Sequence, residues 1–111
     1  MTASSECLDT LKGFLEGIGF VFVETQAKEM GDMGDRRLIE QKSIYESGGR
    51  RVSLTEIIHG SKVKYDRLSI YLSYRDTGED EVDLFDFHQI RDAFKNDIRN
   101  FKIDRLLSDF A

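Results

Sequence analysis

Tyr65-Asp66-Arg67-Leu68-Ser69-Ile70-Tyr71-Leu72-Ser73-Tyr74 decides the reading of the fold. Leu68, Ile70, Leu72 and Tyr74 alternate with Arg67, Ser69, Tyr71, Ser73 and Arg75, the two-residue period of a strand with one core face and one wetter face. That pattern belongs to an antiparallel sheet rather than to a parallel sheet buried on both sides.

Working backwards, Ser47-Gly48-Gly49-Arg50 is a hairpin signal, because two glycines supply the positive φ of a tight turn. Arg36 to Glu46, with Leu38, Ile39, Ile44 and Tyr45, is its first arm. The return arm from Arg51 is open to two readings. Val52, Leu54, Glu56 and Ile58 alternate with their neighbours as in a strand, whereas Ser53-Leu54-Thr55-Glu56 is also a capping box that would start a short helix ending at Gly60; the strand is preferred. Further back, Phe20-Val21-Phe22-Val23 reads as a strand covered on both faces and therefore central. Lys28 to Asp35, with two glycines and two aspartates, breaks every period and reads as a loop. Leu8, Leu11, Phe14, Leu15 and Ile18 form the buried stripe of a first helix, capped by Ser4 or Ser5 and stopped by Gly17 and Gly19.

Working forwards, Asp76-Thr77-Gly78-Glu79-Asp80-Glu81 is a charged turn, and Val82 to Phe87 opens a last short strand. Asp86 caps a helix with the stripe Phe87, Ile90, Phe94, Ile98 and Phe101. The apolar phase then jumps to Ile103, Leu106, Leu107 and Phe110, so a break is expected between Asn100 and Asp104. The expected fold is a single α+β domain over residues 1–111: an N-terminal helix, an antiparallel sheet of four to five strands with helices on one face, and a C-terminal helix broken near residue 102. Tyr71 and Tyr45 are expected on the other face, as a surface suited to association.

Composition bounds the function. The 111 residues are 40% hydrophobic and 33% charged, with a net charge of −5, enough for a core without staples. Cys7 is the only cysteine, which excludes an internal disulfide and a cysteine-built zinc site; at helical spacing among apolar residues it reads as a buried hydrophobe. The N-terminus lacks the basic and apolar regions of a signal peptide, and no apolar run reaches a membrane span. The expected setting is the cytoplasm, with no membrane partner and no cofactor. His59 and His88 stand in no metal-ligand spacing, and no nucleophile elbow, phosphate loop or dinucleotide fingerprint occurs.

Four constellations could carry chemistry. Glu40-Gln41-Lys42 places a carboxylate and an amine on one side of a strand, where they could hold a divalent metal and position a water. Asp32 or Asp35 would supply a second carboxylate, and Glu16 or Glu24 a third. This spacing resembles the PD-(D/E)xK nuclease pattern but lacks its Pro-Asp, and its aspartates fall in the glycine-rich segment. Asp76, Glu79, Asp80, Glu81, Asp83 and Asp86 form an acidic stretch without a basic residue between Arg75 and Arg91. It lacks the ligand order of an EF-hand and suits a basic partner surface, or a solvated loop beside a helix N-terminus. Arg91, Lys95, Arg99, Lys102 and Arg105 form a basic stripe along the last helix, either its wet border or a phosphate-facing row. Tyr65, Tyr71 and Tyr74 with Arg67 and Arg75 make an aromatic–basic strand face able to stack bases, though without RRM-like motif residues.

The expected function is a non-catalytic protein–protein interaction module: an inhibitor, immunity-type or adaptor protein working through charged surfaces, a class that includes phage or bacterial antagonists of nucleases such as anti-CRISPR-like inhibitors. It is expected not to be an enzyme and to hold no metal. Its partner is another protein, a homodimer is allowed, and nucleic acid is admitted but not favoured. The alternatives are a metal-dependent nuclease using Glu40 and Lys42, and a nucleic-acid-binding protein using the basic stripe.

Overall fold

Ser4 closes the first turn of the N-terminal helix by accepting a hydrogen bond from the Cys7 amide at 3.0 Å, which relieves one of the donors a helix start leaves open. The computed structural model describes residues 4–33, 36–60 and 65–101. Helix α1 spans Ser5–Gly17 and buries Cys7, Leu8, Leu11, Phe14 and Leu15. It ends in a Schellman motif: Gly19, at φ 92°, donates to the Glu16 carbonyl, and the Phe20 amide donates to that of Leu15. Only a residue without a Cβ takes that φ cheaply. Leu15 and Phe20 are both buried, the apolar contact that usually accompanies this ending.

Five antiparallel strands follow in sequential order: β1 (Val21–Met33), β2 (Arg36–Ser47), β3 (Arg50–Gly60), β4 (Tyr65–Arg75) and β5 (Val82–Leu84). Two short helices close the described chain, α2 (Phe87–Ala93) and α3 (Lys95–Phe101). The α+β class, the antiparallel sheet and the N-terminal helix are as the sequence implies. The strand-or-helix ambiguity over residues 53–59 resolves as strand, because β3 is central and pairs with β2 and β4 along its length. Its tight turn holds Gly48 at φ 53° and Gly49 at φ 84°, the primed geometry that matches strand twist.

All helices lie on one side of the sheet. Tyr45, Val52, Leu54, Ile70, Leu72 and Leu84 share that face and join α1, Phe20, Ile90, Phe94 and Ile98 in one core. Phe94 sits at its centre, with Phe14, Phe20 and Tyr74 edge-on at centroid separations of 5.7, 6.0 and 4.8 Å. One sheet with one helical layer explains the smallest of the extents, 48 × 32 × 19 Å. No helix among the described residues is long and apolar enough to cross a membrane.

Several expectations are corrected. Phe20–Val23 does not form a central strand: β1 is the sheet edge, and Val21, Phe22 and Val23 are half or more exposed. An aromatic and β-branched run states strand propensity but not which neighbours a strand acquires. The expected loop over Lys28–Asp35 is β-structure as far as Met33, held by pairing with Arg36 to Glu40 and accommodated by a bulge at Met30; Asp35 lies outside the described residues. Tyr45 belongs to the core face and is buried, and only Tyr71 of that expected pair is on the open face. A bulge at Leu68 shifts β4 by one residue, so Arg67 faces α1 instead of sharing a face with Tyr71: it pairs with Glu56 at 3.4 Å and reaches the Ser5 hydroxyl. The last helix is divided at Phe94, whose ring the core grips; the expected break near residue 102 lies outside the described residues.

Candidate functional site

The β4–β5 turn and the short strand after it bring charge and exposed apolar surface together. The local structure is self-made. The Asp76 carboxylate accepts from the Thr77 amide at 2.7 Å, and the Glu79 amide donates back to the Asp76 carbonyl. Gly78 supplies a φ of 77°. The Thr77 hydroxyl donates to the Gly49 carbonyl at 3.0 Å and so clips this turn to the β2–β3 turn.

The structure sorts the six acidic residues into two groups. Asp83 accepts from the Ser73 hydroxyl at 2.7 Å across the β4–β5 pair. Asp86 is the N-cap of α2, accepting from the Gln89 amide at 2.8 Å, while the Gln89 side chain accepts from the Phe85 amide. These two carboxylates hold the ends of β5. Glu79, Asp80 and Glu81 are exposed and, with Asp76, form no ion pair among the described residues. Val82, opposite Tyr74 in the ladder, and Phe85, between Asp83 and Asp86, are 53% and 54% exposed. Phe85 leans on Tyr71 at a centroid separation of 5.3 Å. The sequence pattern indicated the carboxylates. It did not single out Phe85, whose exposure follows from β5 ending at Leu84 before the chain turns into α2.

The other constellations disperse. Glu40 and Lys42 do share a side of β2, and their charged ends stand 3.3 Å apart. Lys28 and Ile57 flank Glu40 in register, and Asp32 pairs with Arg37, three residues along β2 from Glu40. Among the described residues no three or more His, Cys, Asp or Glu side chains stand close enough to hold a metal ion. In the basic stripe, Arg91 is half-buried on α2, with Nε and Nη2 buried and without an acceptor among the described residues, while Lys95 and Arg99 are exposed on α3. Lys102 and Arg105 lie outside the described residues.

One ionic element was not legible from spacing. Arg50, directly after the hairpin turn, grips Asp97 of α3 with two hydrogen bonds of 2.8 and 2.7 Å and donates through Nε to the Tyr74 hydroxyl at 2.9 Å. Its guanidinium also lies 5.0 Å from the Phe20 ring centroid and 5.5 Å from that of Tyr74. The hydrogen bonds to Asp97 raise its pKa despite partial burial. A planar fork meeting a carboxylate through two bonds is the stronger kind of ion pair, and here it fastens the helical layer to the hairpin. Nearby, burial pushes the Tyr45 phenol up, and the charge of Glu16 adds to the effect.

No protein-family model, curated protein or solved structure matches this chain.

Proposed function

We propose that this chain is a non-catalytic protein–protein interaction module, of the inhibitor, immunity or adaptor type, whose contact surface is the β4–β5 turn. The observation that carries this reading is Phe85, half exposed against Tyr71, a few residues after Glu79, Asp80 and Glu81, which have no opposed cation among the described residues. An exposed aromatic residue following an unpaired acidic turn has the composition of an interface anchor with a steering rim. The side chains behind it are already committed, to Ser73, to the α2 cap and to Gly49, so the surface is held in place before a partner arrives. Such preorganisation lowers the cost of ordering on binding. The partner would be a protein with a basic surface and a shallow apolar recess.

The test uses affinity capture from the native host, comparing the wild-type chain with the triple variant Glu79→Lys/Asp80→Lys/Glu81→Lys and with Phe85→Ala. Expected is a basic protein retained by the wild type and lost with either variant, with a rate of association that falls as salt rises. Retention of the same partner by both variants would move the interface elsewhere. Titration with single-stranded and duplex nucleic acid at low salt checks the third reading: binding abolished by Lys95→Glu/Arg99→Glu would replace the present proposal with one built on α3.

A further inference from the structure

The long free edge of the sheet carries a second surface, independent of the acidic turn. Among the described residues strand β1 has β2 on one side only, and its residues from Val21 to Gly31 are exposed. An edge strand presents a row of unpaired backbone donors and acceptors, which natural proteins blunt with bulges and charges or else use for pairing. The two bulges of β1, at Val23 and Met30, leave Glu24 to Glu29 between them as a regular segment. That segment reads Glu24-Thr25-Gln26-Ala27-Lys28-Glu29.

We infer that this edge pairs antiparallel with the same edge of a second copy, about a twofold axis at Gln26, to make one continuous sheet of two chains. Symmetry restricts the choice: in a twofold antiparallel pair, directly opposed residues share a face, so the axis must fall at a residue and not between two. Charge then selects among the residues. An axis at Glu24 opposes Glu24 to its own copy, and one at Lys28 opposes Lys28 to its own copy and Glu24 to Asp32. An axis at Thr25 or Ala27 opposes no opposite charges. An axis at Gln26 places Glu24 opposite Lys28 twice, once on each side of the centre, with Thr25 opposite Ala27. Phe22 and Met30, 50% and 49% exposed, stand four residues before and four after Gln26. Both lie beyond the regular segment, Phe22 past the bulge at Val23 and Met30 at the other, so the register rests on Glu24, Thr25, Ala27 and Lys28 alone. Opposed pairs of this kind stabilise a strand pairing, whereas like charges in the same place oppose it.

Sedimentation of the full chain over a concentration series tests the inference. The wild type should be a dimer. Glu24→Lys and Lys28→Glu should each weaken it by about tenfold or more, since each converts two attractive pairs to repulsive ones. The double variant Glu24→Lys/Lys28→Glu should restore it. All three changes lie on exposed positions, and circular dichroism confirms that each variant is folded. As an independent readout, Gln26→Cys in a Cys7→Ser background should form a disulfide-linked dimer on mild oxidation, because that residue faces itself across the axis, while Glu16→Cys on the exposed side of α1 should not. A chain that is monomeric at every concentration overturns the inference. So does a dimer indifferent to both single reversals, or one that the double reversal fails to restore. None of these outcomes bears on the acidic turn, so the two proposals stand or fall separately.

Discussion

Two parts of the sheet, the β2–β3 turn and the β1 edge, differ in what holds them. The β2–β3 turn sits over the helical layer: Arg50 grips Asp97 and Tyr74, and Gly49 accepts from Thr77. The β1 strand has no such fastening. From Val21 to Gly31 its residues are exposed, and besides the ring contact of Phe22 with Tyr45 its attachment is mainly the backbone ladder to β2. One strand is fixed by packing and the other mainly by pairing. Stability is therefore concentrated where the helices lie, while the long edge remains a surface on which other contacts can form without loss of the core.

The sharpest way to break that contrast is to remove the ring on which the packed half converges. Phe94→Ala should cost about 3–5 kcal/mol in chemical denaturation, because three aromatic neighbours lose their partner. Thr25→Ala on exposed β1 should cost within about 0.5 kcal/mol. Equal losses at the two positions would mean that the edge is as tightly packed as the centre.

A smaller effect isolates the ionic fastening. Arg50→Ala should destabilise by about 2–3 kcal/mol, since it strands a half-buried carboxylate and a tyrosine hydroxyl. Asp97→Ala alone should cost a comparable amount, and the double variant less than the sum of the singles. Additive losses would show that the two side chains act separately.

The smallest test lies within one turn. Gly48 and Gly49 both hold positive φ, but a Cβ at Gly49 would stand 2.5 Å from the Thr77 hydroxyl oxygen, whereas one at Gly48 meets nothing within 4 Å. Gly48→Ala should therefore cost about 1 kcal/mol and Gly49→Ala about 2. The Gly49 change should also loosen the acidic turn that Thr77 clips, visible as faster amide exchange from Thr77 to Glu81. Equal costs would mean that the clip adds nothing.

Much of the fold was legible because local signals were consistent. The α1 stripe, the Ser4 and Asp86 caps, the Gly48-Gly49 turn and the alternation of β4 from Ser69 to Tyr74 each rest on residues within a few positions of one another, and each is present as read. The errors share one cause. Phe20–Val23 looks central and Lys28–Asp35 looks like a loop, yet Val21 to Met33 form one continuous edge strand, because what a strand pairs with, and on how many sides, depends on distant residues. The bulge at Leu68 sends Arg67 to the helix side by the same logic, since a single unpaired residue reverses the pleat.

The candidate site divides along the same line. Its carboxylates are contiguous and could be read directly. Phe85 beside them, and the separation of Asp83 and Asp86 from Glu79, Asp80 and Glu81, could not, because both depend on partners in β4 and α2.

By itself the sequence determined the class of the domain, its helical stripes, its tight turn and the density of its charge, all properties of neighbours in the chain. Only the tertiary structure decided which strand is the edge, which acidic side chains are occupied, and that Arg50 reaches Asp97 across 47 residues. Those outcomes rest on long-range pairing, whose energy depends on surroundings that no local window contains.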